Sequence, residues 1–245
     1  MEKKEILIDS INVKEALRYL GYNNNDIDPN MKELLSHCES DLLSAARPDY
    51  IYSVFKLNND YTLEGCDFEL AGHDIKKHLE GCEKAVFMCV TAGMGTDRLI
   101  RIKQIGNMAE ATVIDSMASA MVEQICDEVE EFIQDDFPDM EMTWRFGLGY
   151  GDFPLELQKK FLEVLQAPKR IGVCVNDSMM LTPTKSVTCI IGLKNKENSL
   201  DEVTGKVHNS GNHGNDKRSN ENRCEYCNMK DVCEYRVRGD RCNGN

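Results

Sequence analysis

Apolar and polar positions along this chain repeat with two periods, and the changes between them mark its elements. Val13, Ala16, Leu17 and Leu20 fall on one side of a helix that Asn12 or a neighbour can cap and that ends at Gly21. After the polar loop Asn23-Asn24-Asn25-Asp26, Pro29 opens a second helix to about Ala46, with Met31, Leu34, Leu35, Cys38, Leu42 and Leu43 at helical spacing. Pro48 stops it. Tyr50–Leu57 is rich in β-branched and aromatic residues and predicts a strand, and a second short strand is expected near Tyr61–Leu63. His73–Leu79 reads as a short helix and Lys84–Thr91 as a buried strand. The strongest helix is Glu110–Ile133, where Ala111, Ile114, Ala118, Met121, Val122, Ile125, Val129 and Phe132 form one stripe. Its other side carries Glu110, Asp115, Glu123, Asp127, Glu128 and Glu130, a solvated face. Met140–Phe146 reads as a strand. Pro154 suits the first turn of a helix that points Leu157, Phe161, Leu162 and Leu165 inward, and Ala167-Pro168 breaks it. Ile171–Val175 and Val187–Leu193 are strands joined by the loop Ser178–Ser186.

These elements predict an α+β fold. Its mainly antiparallel twisted sheet is built from the strands near 50–57, 84–91, 140–146, 171–175 and 187–193, flanked by helices. Beyond Leu193 the composition turns to Asn, Lys, Glu, Ser and Gly, which cannot bury a core. The expected organisation is a globular domain over 1–193, a flexible polar linker over 194–222 and a Cys-rich tail over 223–245.

Hydrophobic residues make up 41% of the chain and charged residues 29%, ordinary for a soluble protein. No apolar run approaches the ~18 residues of a membrane helix, and the first residues lack an apolar signal core, so a cytoplasmic protein with no membrane partner is expected. The formal charge of -13 disfavours nucleic acid as a partner, since phosphate binding needs basic surface. Seven of the eleven cysteines (Cys38, Cys66, Cys82, Cys89, Cys126, Cys174, Cys189) are scattered, mostly in apolar patterns, as core thiols are.

Candidate chemistry concentrates in Trp144–Leu193. Arg145 stands just ahead of Gly147, Gly149 and Gly151, which alternate with Leu148 and Tyr150. Such a run suits a backbone lying against a flat ligand, with one ring and one fixed positive charge beside it; it also suits a plain glycine-rich turn. His73 and His78 are five apart and do not share a helix face as metal ligands would. Gly93-Met94-Gly95 follows a strand, but the third glycine of a dinucleotide fingerprint is missing at Arg98, so a turn into a helix is expected.

Arg145-x-x-x-Gly149-Tyr150, then a helix, then Ser178-Met179-Met180-Leu181-Thr182-Pro183-Thr184-Lys185-Ser186-Val187, resembles the activation domain of cobalamin-dependent methionine synthase. Ala85–Gly93 resembles that family's strand ending in Val-Thr-(Ala/Gly)-Gly, the long helix falls where the family has one, and Leu17–Tyr22 resembles the start of its short, stand-alone members. The resemblance covers roughly residues 10–193.

It implies a reactivation protein that binds S-adenosylmethionine (SAM). The protein would support reductive methylation of cob(II)alamin to methylcobalamin, with a one-electron donor and a corrinoid-carrying methionine synthase or related methyltransferase as partners. Arg145 would hold the SAM carboxylate. Gly147, Gly149 and Gly151 belong to the cofactor turn, and Tyr150 would act near the sulfonium and the corrin. Met180, Pro183 and Ser186 would lie on the rim facing the corrin. Cobalamin would ride on the partner, because the chain has no Asp-x-His-x-x-Gly signature. The chain departs from the family in having Gly151 where a proline follows Gly-Tyr, and in lacking an identifiable SAM-contacting aspartate and the paired downstream tyrosines. These departures motivate an alternative: a noncatalytic module that binds a corrinoid protein and has lost SAM.

The tail reads Cys224-x2-Cys227-x5-Cys233-x8-Cys242. Four thiolates so placed can wrap one metal centre. The spacing lacks two separated C-x2-C knuckles, and the first three resemble [4Fe–4S] ligand runs, so a cluster is favoured over zinc.

Overall fold

The computed structural model describes residues 3–22 and 27–196. It contains α1 (Val13–Tyr19), α2 (Pro29–Ala45), β1 (Asp49–Lys56), α3 (His73–His78), β2 (Lys84–Thr91), α4 (Met94–Gly106) and α5 (Met108–Asp136). These are followed by β3 (Met140–Met142), β4 (Phe146–Gly147), a 3-10 turn at Leu155–Leu157, α6 (Gln158–Leu165), α7 (Ala167–Arg170), β5 (Cys174–Val175), β6 (Leu181–Thr182) and β7 (Ser186–Asn195). Polar side chains begin the helices where the sequence offers them. Asn12 Oδ1 accepts from Glu15 N at 3.1 Å, Asp28 Oδ1 from Met31 N at 3.0 Å, and Asn107 Oδ1 from Ala109 N at 3.1 Å.

The main sheet has the order β1-β2-β7-β3, with β4 also on β7. It is antiparallel. Arg47 N bonds Ala92 O and Leu57 N bonds Glu83 O on one side of β2; Ala92 N bonds Lys185 O and Glu83 N bonds Leu193 O on the other. The fold is therefore α+β with an antiparallel sheet flanked by helices, as the patterning predicts. β2 is buried from Ala85 to Thr91, which its unbroken apolar run requires of a central strand.

The described residues form two compact units: 3–22 and 27–51 with Cys89–Ile133 and Leu165–Val187, and Tyr52–Met88 with Gln134–Val164 and 188–196. The first is built on α5. Ile114, Met117, Ala118, Met121, Ile125 and Val129 are fully buried, as are Ala16, Cys38 and Leu42. Met117 and Met121 of α5 are core, as their spacing implies. The acidic side of α5 is partly engaged: Lys103 Nζ lies 2.6 Å from Glu110 and 2.7 Å from Asp41, and Lys185 Nζ lies 2.9 Å from Asp115. Hydrogen bonding to Lys103 holds the Asp41 and Glu110 carboxyls below their ordinary range. His37, Asp41 and Glu110 could converge on a metal ion, but the Lys103 ammonium already stands on the two carboxylates.

In the second unit Phe87 stacks on Phe161 at 4.7 Å, and Phe68 meets both edge-on. Among the scattered cysteines Cys38, Cys89, Cys126 and Cys189 are buried, and burial pushes the Cys89 thiol up to about 12.

Three expected elements differ. Tyr61–Leu63 is no strand: Tyr61 has a φ of 63°, Thr62 N bonds the Asp60 carboxylate, and Leu63 makes isolated bridges with Leu57 and Cys66. Ile171–Val175 shortens to Cys174–Val175, because Ile171 still closes α7 and Gly172 has a φ of 69°. It pairs with Leu181–Thr182 in a separate two-stranded sheet, not in the main one. The third difference, in 140–146, shapes the candidate site.

Candidate functional site

The segment read as one strand over Met140–Phe146 is two, and the gap holds Arg145. Met142 pairs with Leu193, and Thr143 N bonds Gly192 O at 2.9 Å, while Gly192 N donates to Thr143 Oγ1 at 2.8 Å. Pairing resumes at Phe146 with Ile190. Trp144 and Arg145 therefore stand together opposite Ile191: two residues against one, a β-bulge that re-aims the side chains it contains. Trp144 packs on His78 at 4.4 Å between ring centroids, and His78 Nε2 lies 2.9 Å from Thr143 Oγ1. His78 is thus a buried packing and hydrogen-bonding residue.

From the bulge the chain enters a turn. Tyr150 N bonds Gly147 O, Phe153 N bonds Tyr150 O and Gly149 N bonds Phe153 O. Gly149 has a φ of 86°, where a side chain would be strained. A Cβ at Gly147 would meet the Tyr150 ring at 2.8 Å, so this glycine lets the ring fold down over the backbone. Tyr150 is 47% exposed, an unusual position for a large ring fixed on a tight turn. Asp152 ties the turn to α3, accepting from His73 N at 2.6 Å and Asp74 N at 3.0 Å. Those backbone donors at the helix start hold its carboxyl below the ordinary range. Gly151 abuts Asp74, leaving no room for a Cβ.

Met180, Pro183 and Ser186 belong to the other unit. Asn176 Oδ1 accepts from Ser178 N and Met180 N, shaping the connection between β5 and β6 and leaving Met180 56% exposed. Thr182-Pro183 is a cis peptide. Ser186 Oγ donates to Pro183 O at 2.7 Å and lies 2.8 Å from Thr91 Oγ1, which accepts from Gly93 N. Asp97, in the first turns of α4, accepts through Oδ2 from Thr184 N at 2.8 Å and Thr184 Oγ1 at 3.0 Å. Its Oδ1 is buried without a hydrogen-bond partner among the described residues. A polar cavity of about 390 Å³ lies beside this turn, lined by Tyr19, Ser116, Ser119, Thr184, Lys185 and Ser186 among others.

The structure brings Arg145, Gly147, Gly149, Tyr150 and Gly151 onto one bulge and turn, and Pro183 and Ser186 onto another with Thr91. Cys224, Cys227, Cys233 and Cys242 lie outside the described residues. The sequence reading passed over Asp97 and Asp152. An acidic residue just inside a helix start after Gly93, and one closing the glycine turn, were the available signals.

No protein-family model matches this chain, and no curated protein matches it. The chain is similar in fold to the crystal structure of the MetH reactivation domain bound to AdoHcy, with a TM-score of 0.51, 12% sequence identity, and coverage of 93% of this chain and 82% of that one. At that identity the likeness is one of architecture: this chain has the MetH reactivation-domain fold.

Proposed function

We propose that this protein binds SAM and acts in trans as a reactivation protein on a corrinoid methyltransferase, supporting reductive methylation of cob(II)alamin to methylcobalamin. The observation that carries the reading is an Arg145–Tyr150 turn, set off by a bulge, on a fold whose solved neighbour holds AdoHcy. The residues suit the ligand. Arg145 is half-buried on the bulge, and a guanidinium matches the planar geometry of a carboxylate. The Tyr150 ring, folded over Gly147 and 47% exposed, would offer its outer face to the adenosine or sulfonium end. SAM supplies a methyl group and leaves as a neutral thioether, so the site needs no strong base, and orientation carries most of the catalysis. Arg145 would fix one end of the ligand, Tyr150 would set the other, and Met180, Pro183 and Ser186 would border the corrin.

Calorimetric titration of SAM into the full chain tests this reading. Saturable binding is expected, with AdoHcy competing. No binding, with or without a corrinoid protein, would sink it; complex formation with a corrinoid protein but no SAM binding would select the noncatalytic module instead.

The tail thiolates Cys224, Cys227, Cys233 and Cys242 would hold a [4Fe–4S] cluster, whose chemistry is one-electron transfer. Anaerobic purification should then give a brown protein that bleaches with dithionite. A colourless protein with one equivalent of zinc would remove the redox role.

A further inference from the structure

The outward side of α4 is not what a chain of net charge -13 would be expected to show. At 3.6 residues per turn, Met94, Arg98, Arg101, Ile102 and Ile105 fall within an arc of about 100°. Met94 is 50% exposed, Ile102 58% and Ile105 91%; Met108, at the start of α5, is 63% exposed. Single exposed apolar side chains are ordinary, but these follow one another along one stripe. The stripe carries no carboxylate, since the acid of α4, Asp97, is buried. Arg98 and Arg101 are exposed, and neither has an ion pair or hydrogen bond among the described residues, although acids outnumber bases across the chain.

Methionine and arginine around an apolar centre, with lysine absent, are the residues that protein interfaces favour. Nucleic acid fits poorly with the overall charge, and two cations are few for an anionic membrane surface. An acidic protein surface complements the stripe, its carboxylates taking the two guanidinium groups and its apolar side chains covering Ile102 and Ile105. Position narrows the partner further. Asp97 holds Thr184 from the inner side of this same helix, so α4 runs out from the turn carrying Pro183 and Ser186. A protein presenting its ligand to that turn would lie along α4.

We propose that the outer face of α4, centred on Arg98, Arg101, Ile102 and Ile105, docks the corrinoid-carrying protein through an acidic, apolar-centred surface. This rests on the proposed function. The test measures binding of the full chain to the cobalamin-loaded corrinoid methyltransferase of the same organism, for wild type, R98E/R101E and I102S/I105S, with SAM affinity and melting temperature read in parallel. Each double variant should bind about tenfold or more weakly, with SAM affinity and melting unchanged. The loss in R98E/R101E should shrink in about 0.5 M salt, where surface charges are screened. Wild-type binding that both variants retain would overturn the docking face and leave the reactivation role standing. Failure of wild type to bind any corrinoid protein, with SAM bound normally, would overturn the partner itself. Sedimentation with phosphatidylserine vesicles that depends on Arg98 and Arg101 would replace the protein partner by a lipid surface.

Discussion

Arg145→Ala is expected to weaken SAM binding by about 10- to 100-fold, while the variant folds. A charge-assisted hydrogen bond contributes about 1.5–3 kcal/mol, and each 1.4 kcal/mol is tenfold in affinity. The bulge gives this expectation its specificity. Arg145 shares its position opposite Ile191 with Trp144, outside the regular ladder that β3 and β4 make with β7. Arg145→Lys is the informative companion. It keeps the charge and loses the planar fork, so partial loss is expected if the ligand offers a carboxylate and near-complete retention if it offers only diffuse negative charge. Calorimetric titration of the three proteins, with melting temperatures alongside, decides between them. Equal SAM affinity in wild type and Arg145→Ala would remove Arg145 from the site.

Asp97→Ala is expected to free the 182–186 turn and lower stability by about 2 kcal/mol, since Thr184 loses the carboxylate acceptor for both its N–H and its hydroxyl. That corresponds to a fall of about 4–8 °C in melting temperature for a chain of this size. The local signature matters more than the global one. Exchange of the Thr184 amide should accelerate well beyond that of the β7 core, and trypsin should cut after Lys185. Asp97→Asn keeps an acceptor and should restore slow exchange at Thr184. Uniform acceleration across the sheet in both variants would mean that Asp97 serves the whole unit rather than this turn.

Much of the framework was legible because its signals are local. The stripe from Ala111 to Val129 has the helical period and nothing to compete with it, so the long helix forms where the spacing puts it, extended to Met108–Asp136 by the Asn107 cap and a further polar turn. The run Ala85–Val90 is apolar on both faces, and only a central strand can satisfy it. The turn over Gly147–Gly151 was legible because alternating glycines favour a tight turn, and Gly149 takes a φ of 86° there. The bulge was not legible: its register is set by Gly192 and Thr143 meeting across two strands about fifty residues apart, and no pattern within 140–147 records it. Tyr61–Leu63 misled because β-branched and aromatic composition cannot register a residue held at positive φ by a neighbouring aspartate turn. Asp97 escaped notice because its partner, Thr184, lies 87 positions away.

The bulge has a consequence in coding terms. Thr143 and Phe146 both find partners on β7, at Gly192 and Ile190, so the strand pair needs one residue between them where the chain supplies two. The surplus residue adds nothing to the ladder. A sequence shortened by one at Trp144-Arg145 would still satisfy every backbone pairing on both sides and could still fold. What it would lose is the second side chain in the gap, so that Trp144 with its packing on His78, or Arg145, would be given up. Aim and foldedness are thus written separately here, and drift in the length of this segment would erase the first without the second giving any sign.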